Sequence, residues 1–96
     1  MTKDKAVLFI VAYDISDDTR RTRVAKELEN WGRRAQFSVF ECELDHARAQ
    51  ALAALLRELT LPEDEVRMYR VCEACARASV DVRGRGLARD PDFYQV

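Results

Sequence analysis

Apolar positions dominate the chain from Ala6 to Tyr13, where both alternating sets, Val7, Phe9, Val11, Tyr13 and Leu8, Ile10, Ala12, are hydrophobic. That pattern predicts a first strand over Lys5–Ile15 with both of its faces covered. Asp17 or Asp18 then stands where a helix N-cap is expected, a carboxylate accepting from the free N–H groups of the first turn. Val24, Leu28 and Trp31 recur at i, i+4 and i+7 and predict that helix's buried stripe, with Gly32 closing it. "RAQFSVFECEL", Arg34 to Leu44, reads as extended, either one long bent strand or two short ones meeting near Ser38. Asp45 is the expected cap of a second helix, whose apolar stripe is Leu52, Leu55, Leu56 and Leu59. After the loop "TLPED", Glu65–Cys72 alternates as another strand, and Ser79–Arg83 suggests a last short one. The tail "LARDPDFYQV" carries Phe93, Tyr94 and Val96 without helical spacing.

This order of elements predicts an α+β domain, an antiparallel sheet with two helices packed on one face. The second face of the first strand is then apolar and uncovered. A second copy of the same sheet stacked against it is the simplest cover, so a two-fold homodimer is expected. Ninety-six residues suit one domain, 1–96. No repeat, low-complexity tract or linker divides it. The longest apolar run is far short of the ~20 residues that cross a bilayer, and it lacks a secretory cleavage pattern. Three cysteines, two of them in one C-x-x-C, do not form a secreted disulfide framework. A cytoplasmic chain without membrane association is expected.

Charge changes the picture through its placement. The net charge is −1, yet Thr19–Gln36 holds six basic residues (Arg20, Arg21, Arg23, Lys26, Arg33, Arg34) against two acids, Glu27 and Glu29. Thirteen of the sixteen basic residues are arginine, suited to bidentate grip on phosphate or carboxylate. A GC-rich genome or a thermophilic source accounts for the same bias without any ligand. Arginines in a helix's first turn oppose its dipole, which favours acids there. Such a placement points to an external anion, with phosphate the obvious candidate. The alternative is a solvated helix face. No helix-turn-helix or zinc-finger spacing is present to read bases.

Asp14, at the end of the first strand, is rigidly aimed and reachable by solvent. It could bind a metal, or it could cap the next turn or pair with Arg21. One carboxylate per chain is a poor site, but a two-fold axis supplies a second, and Mg²⁺ is often held by one or two carboxylates plus water. Such an ion could activate water or clamp a phosphodiester. Cys72 and Cys75 form "CEAC" at a strand end. With Cys42 and His46 they could complete a zinc site, but a strong signature has two paired knuckles. A redox motif needs a helix after the strand, and "ARASVDV" does not read as one. Structural or loop cysteines are the expectation, with His46 exposed and Trp31 in the core.

"YDISDD", then Arg21 and Arg23, then "GRRAQFSVFECEL" together resemble the second core CRISPR-associated protein family. This is the small dimeric subunit of the spacer-acquisition machinery, described as a metal-dependent endoribonuclease. The resemblance spans nearly the whole chain and is most specific at Tyr13-Asp14 and Gln36–Glu41. It implies a ferredoxin-like fold, a homodimer, and a tail at 87–96 that pairs as a strand with the partner subunit's sheet. It also implies that Asp14 binds Mg²⁺ or another divalent cation at the dimer seam with its two-fold mate. Tyr13, Arg21, Arg23, Arg34 and Phe40 match positions tied to nuclease activity.

Two functions follow from the resemblance. In one, the protein serves CRISPR adaptation with Mg²⁺-dependent endonuclease activity on RNA or DNA, and arginines stabilise the transferring phosphate. In the other, the dimer is a non-catalytic adaptor. It bridges two dimers of the CRISPR integrase and lays a DNA duplex across Arg20, Arg21, Arg23, Arg33 and Arg34. A ferredoxin-like regulatory dimer without nucleic acid is a third possibility, against which the arginine placement speaks.

Overall fold

In the computed structural model, which describes residues 5–84, the first apolar run forms strand β1 (Val7–Asp14). Helix α1 (Asp18–Leu28) follows, and its N-cap is Asp17, whose carboxylate accepts from the Arg20 N–H at 2.8 Å. The extended region divides into β2 (Arg33–Gln36) and β3 (Val39–Leu44), so two short strands meet at a Phe37-Ser38 turn. Asp45 caps α2 (His46–Leu59), accepting from the Arg48 N–H at 2.8 Å. Strand β4 (Glu65–Val71) and a short α3 (Glu73–Ala78) complete the described chain.

All strand pairs are antiparallel and the sheet order is β2-β3-β1-β4, which with the β-α-β-β-α-β chain order is the ferredoxin-like arrangement expected. Central β1 turns Val11 and Tyr13 toward the helices. There they pack with Phe40, Cys42 and Leu44 of β3, Val24 and Leu28 of α1, and Leu52 and Leu56 of α2. Leu28 and Leu52 are completely buried, and full burial of such a side chain contributes about 1.5–3 kcal/mol.

The other face departs from expectation. Leu8 and Ala76 are buried together there, flanked by Ile10 and Val71. A third helix thus covers one end of the face that the sequence left bare. The strand predicted at Ser79–Arg83 does not form among the described residues: Val80 and Val82 are 78% and 94% exposed. Asp81 instead organises a turn, its carboxylate accepting from the Arg83 N–H at 2.7 Å and its carbonyl from the Gly84 N–H at 2.8 Å. Alanines 74, 76 and 78 favour a helix over 73–78, but six residues are too few to display a 3.6-residue period. The tail at 87–96 lies outside the described residues.

Two residues near the end of α1 differ in detail from expectation. Trp31 packs against the core as expected, but half-buried and from the turn after the helix, its Nε1–H donating to Glu27 at 3.1 Å and Arg48 lying over its ring at 4.9 Å. Gly32 does not adopt the left-handed conformation of a usual helix-ending glycine. It is needed for close approach, because a Cβ there would lie 2.6 Å from Cys42 Sγ and 2.8 Å from Cys42 Cα.

Candidate metal and nucleic-acid site

Strand alternation places Tyr13 among the helices and Asp14 on the opposite side, exposed to solvent. The structural duties that Asp14 could have served are filled by its neighbours. Asp17 caps α1, and Arg21 pairs with Asp18. Among the described residues, no side-chain hydrogen bond or ion pair engages the Asp14 carboxylate. Its register partner on β4 is Glu65. Directly opposed residues of an antiparallel pair share a face, and like charges there are unfavourable. Sequence reading missed Glu65, because only the register of β1 against β4 brings it to this corner.

Tyr13, Arg34 and Phe40 are brought together, around the carbonyl of Phe37. The Tyr13 hydroxyl donates to that oxygen at 3.3 Å, and Arg34 donates to it from Nε at 3.2 Å and from Nη2 at 2.8 Å. The Arg34 guanidinium also lies 5.5 Å from the Phe40 ring centroid and 5.8 Å from that of Phe37, within cation–π range. Phe40 is fully buried, stacked at 6.4 Å on Tyr13. The Tyr13 N–H donates to the Ser38 carbonyl at 3.1 Å, so the β2–β3 turn is tied to the strand end that carries Asp14. Tyr13 and Phe40 are thus buried supports. Phe37, 77% exposed at the turn, was not singled out from the sequence. An aromatic at a hairpin tip gives no periodic signal.

The arginines of α1 divide. Arg20 donates from Nε and Nη2 to the two carboxylate oxygens of Asp64 at 2.8 and 3.1 Å, a bidentate clamp from α1 to the loop before β4. The Arg20 bonds, and the Leu61 N–H at 2.9 Å, hold the Asp64 carboxyl below the ordinary carboxylate range. Asp17 and Glu63 add further negative charge around Arg20, each at 3.9 Å. Arg20, expected among the phosphate-binding residues, thus has its charge matched within the chain. Arg21 turns back on its own helix start, donating to the carbonyls of Ile15 at 2.9 Å and Ser16 at 3.3 Å and pairing with Asp18. These internal partners explain why arginines are tolerated in that first turn. Arg23 and Lys26 stand exposed on the outer face of α1, beside Thr19 and Thr22. Arg33 lies on β2 opposite Glu41 of β3.

The cysteines separate. Cys42 is fully buried beneath Gly32, and burial pushes its thiol up to about 11. Cys72 and Cys75 are exposed at the opposite end of the sheet from Asp14. Among the described residues no three histidine, cysteine or acidic side chains gather as metal ligands. Nor, among them, is any helix long and apolar enough to cross a membrane.

Comparison with known proteins places these features in a family. The profile of the family described as CRISPR associated protein Cas2 matches residues 7–78. The CRISPR-associated endoribonuclease Cas2 3 of Chloroflexus aurantiacus is 42% identical over 89 residues, covering 91% of this chain and 95% of that protein. The CRISPR-associated endonuclease Cas2 2 of Thermus thermophilus is 44% identical over 80 residues, covering 82% and 83%. A crystal structure of Streptococcus pyogenes Cas2 superposes with a TM-score of 0.68 at 26% identity, covering 78% of this chain and 98% of that one. The chain therefore belongs to the CRISPR associated protein Cas2 family.

Proposed function

We propose that this chain is a subunit of CRISPR adaptation, the spacer-acquisition arm of prokaryotic antiviral defence. It acts in the cytoplasm as a two-fold homodimer with Mg²⁺-dependent endonuclease activity. The observation that carries this reading is Asp14: an exposed carboxylate at the end of a rigid central strand, with no side-chain partner among the described residues. The names of the matched relatives, endoribonuclease in one case and endonuclease in another, support the reaction class.

The donor set fits a hard cation. Asp14 and Glu65 offer carboxylate oxygens at one solvent-exposed corner, where Arg67 also lies 3.7 Å from Glu65, and Mg²⁺ retains several waters while binding one or two carboxylates. A bound Mg²⁺ supplies a water of lowered pKa and charge stabilisation at a phosphodiester. The chain's own groups do the rest. Asp14 would hold the cation, and its two-fold mate would complete the site. Arg34, fixed by the Phe37 carbonyl, and Arg23, exposed on α1, hold phosphates. Tyr13 and Phe40 keep the strand end and hairpin in register. The part of the second sheet face beyond α3, with Ile10 and Ala12 half-covered and Tyr69 50% exposed, is the surface on which the second copy stacks.

Asp14→Asn tests this directly. It keeps size and exposure while removing the charge, so folding and duplex binding are expected to stay intact while Mg²⁺-dependent cleavage is lost. Cleavage that survives in highly purified variant protein would place the activity elsewhere. A second reading, the non-catalytic adaptor, is favoured by Arg23 and Lys26, which stand exposed on α1 where they can grip phosphate without any reacting group beside them. In it the dimer bridges two dimers of the CRISPR integrase and only holds DNA. Wild-type protein that binds duplex yet never cleaves would select that reading.

A further inference from the structure

The C-x-x-C of "CEAC" lies in a context that its sequence does not reveal. Cys72 ends the run of β4 with extended backbone (φ −64°, ψ 164°) and serves as the N-cap position of α3, its carbonyl accepting from the Ala76 N–H at 2.8 Å. Cys75 falls within the first turn that follows. Both side chains are exposed, and the N-cap position and the residue three further on in the first turn are neighbours on one side of the helix start. The Cys75 backbone N–H and thiol, with a smaller contribution from Arg70, hold the Cys72 thiol below the ordinary thiol value, while Cys72 holds Cys75 above it. A lowered attacking sulfur beside a raised resolving one is the division of labour that thiol–disulfide exchange uses.

The surroundings supply a substrate seat. Cys72 lines a groove of about 690 Å³ together with Lys5, His46 and Arg70, the apolar Val7 and Phe9, and Glu73. A cationic and partly apolar groove of this size, opening at an exposed thiol, suits a small anionic thiol compound. We propose that Cys72 and Cys75 are a redox-active dithiol whose substrate is an anionic low-molecular-weight disulfide of the glutathione type, seated in this groove, with Cys72 as the attacking sulfur.

The exchange is a balanced two-electron reaction. The Cys72 thiolate attacks one sulfur of the disulfide, its S–S bond breaks, and the first thiolate leaves and takes a proton from water. The mixed disulfide on Cys72 is then attacked by Cys75 Sγ, which loses its proton to solvent. The second small thiol departs, and a Cys72–Cys75 bond forms. The protein dithiol is oxidised and one disulfide is reduced to two thiols. Because α3 buries only Ala76, the bond is made in a segment held to the sheet by little else.

The experiment treats the full chain with glutathione disulfide, followed by intact mass measurement, peptide mapping and thiol titration. The expected result is a mass loss of two hydrogens and a fall in free thiols from three to one, with Cys42 unmodified. Cys75→Ser is expected to accumulate one glutathione adduct on Cys72 that dithiothreitol releases. Cys72→Ser is expected to form neither the bridge nor a rapid adduct. In the Cys75→Ser background, Arg70→Gln slows reaction with glutathione disulfide more than with uncharged hydroxyethyl disulfide, since its contribution to the thiol is common to both and its contact with substrate charge is not. Protection of Cys42 in every variant reports that the fold is intact. Retention of all three thiols, adducts on Cys75 ahead of Cys72, or bridging only between chains would overturn the proposal. An equal effect of Arg70→Gln on both disulfides would overturn the groove as the seat.

Discussion

Replacing Gly32 with alanine tests whether the junction of α1 and the sheet is as tight as its geometry implies. The added methyl would stand 2.6 Å from Cys42 Sγ and 2.8 Å from Cys42 Cα, and would overlap the Glu41 carbonyl oxygen. Two of these three atoms are backbone of β3, so no rotamer change clears the space. Overpacking a filled site costs about 1–3 kcal/mol, and immovable neighbours put this case at the upper end. Alanine offsets about 0.4–1 kcal/mol by restricting the unfolded chain, since Gly32 has no positive φ to lose. The net destabilisation is about 2–2.5 kcal/mol, and in a chain of this size each kcal/mol moves Tm by about 4–8 °C. Thermal melts followed by circular dichroism should therefore drop by about 8–20 °C. Adding Cys42→Ala removes the sulfur but leaves the two backbone clashes, so it cannot restore the wild-type Tm. A Tm in Gly32→Ala that is unchanged or higher would show that β3 yields freely, and the close-approach argument would be wrong.

Two further outcomes follow from the divided roles of the α1 arginines. Arg23→Ala is expected to leave Tm unchanged and reduce the salt dependence of duplex binding by about 0.9 in log–log slope for each phosphate left unneutralised. Arg20→Ala should instead lower Tm, by leaving Asp64 without its clamp, and change the slope little. The reverse assignment in salt titrations and melts would sink the division. Asp64 is held below the ordinary carboxylate range by Arg20. Its contribution is therefore complete above that range and lost as pH falls through the lowered value. Asp64→Asn is expected to flatten the acid limb of a denaturation series, and an acid limb as steep as wild type would remove this pair as its cause.

Much of the fold was legible because its signals are periodic. The doubly apolar β1, the caps Asp17 and Asp45, and the leucine stripe of α2 each follow from spacing alone. The short α3 was not legible, since one helical turn and a half carries too few positions to show a period. Its missing signal also hid the setting of Cys72 and Cys75. At the candidate site, Asp14 could be found because a carboxylate ending an apolar strand is conspicuous. The fates of Arg20 and Arg21 could not be found, because Asp64 is 44 residues from Arg20 and the Ile15 carbonyl has no side-chain identity. Phe37 was missed for the same reason: it contributes a backbone oxygen, which any residue could supply.

That shared oxygen at the hairpin tip sets a trap for mutagenesis. Tyr13 and Arg34 bond to one acceptor, and Phe40 lies beneath it, so removing any of the three loosens the same corner next to Asp14. Loss of cleavage in such variants would look like loss of a chemical participant while reporting only a shifted carboxylate. Substitutions here are informative about chemistry only when the position of the β2–β3 turn is checked as well.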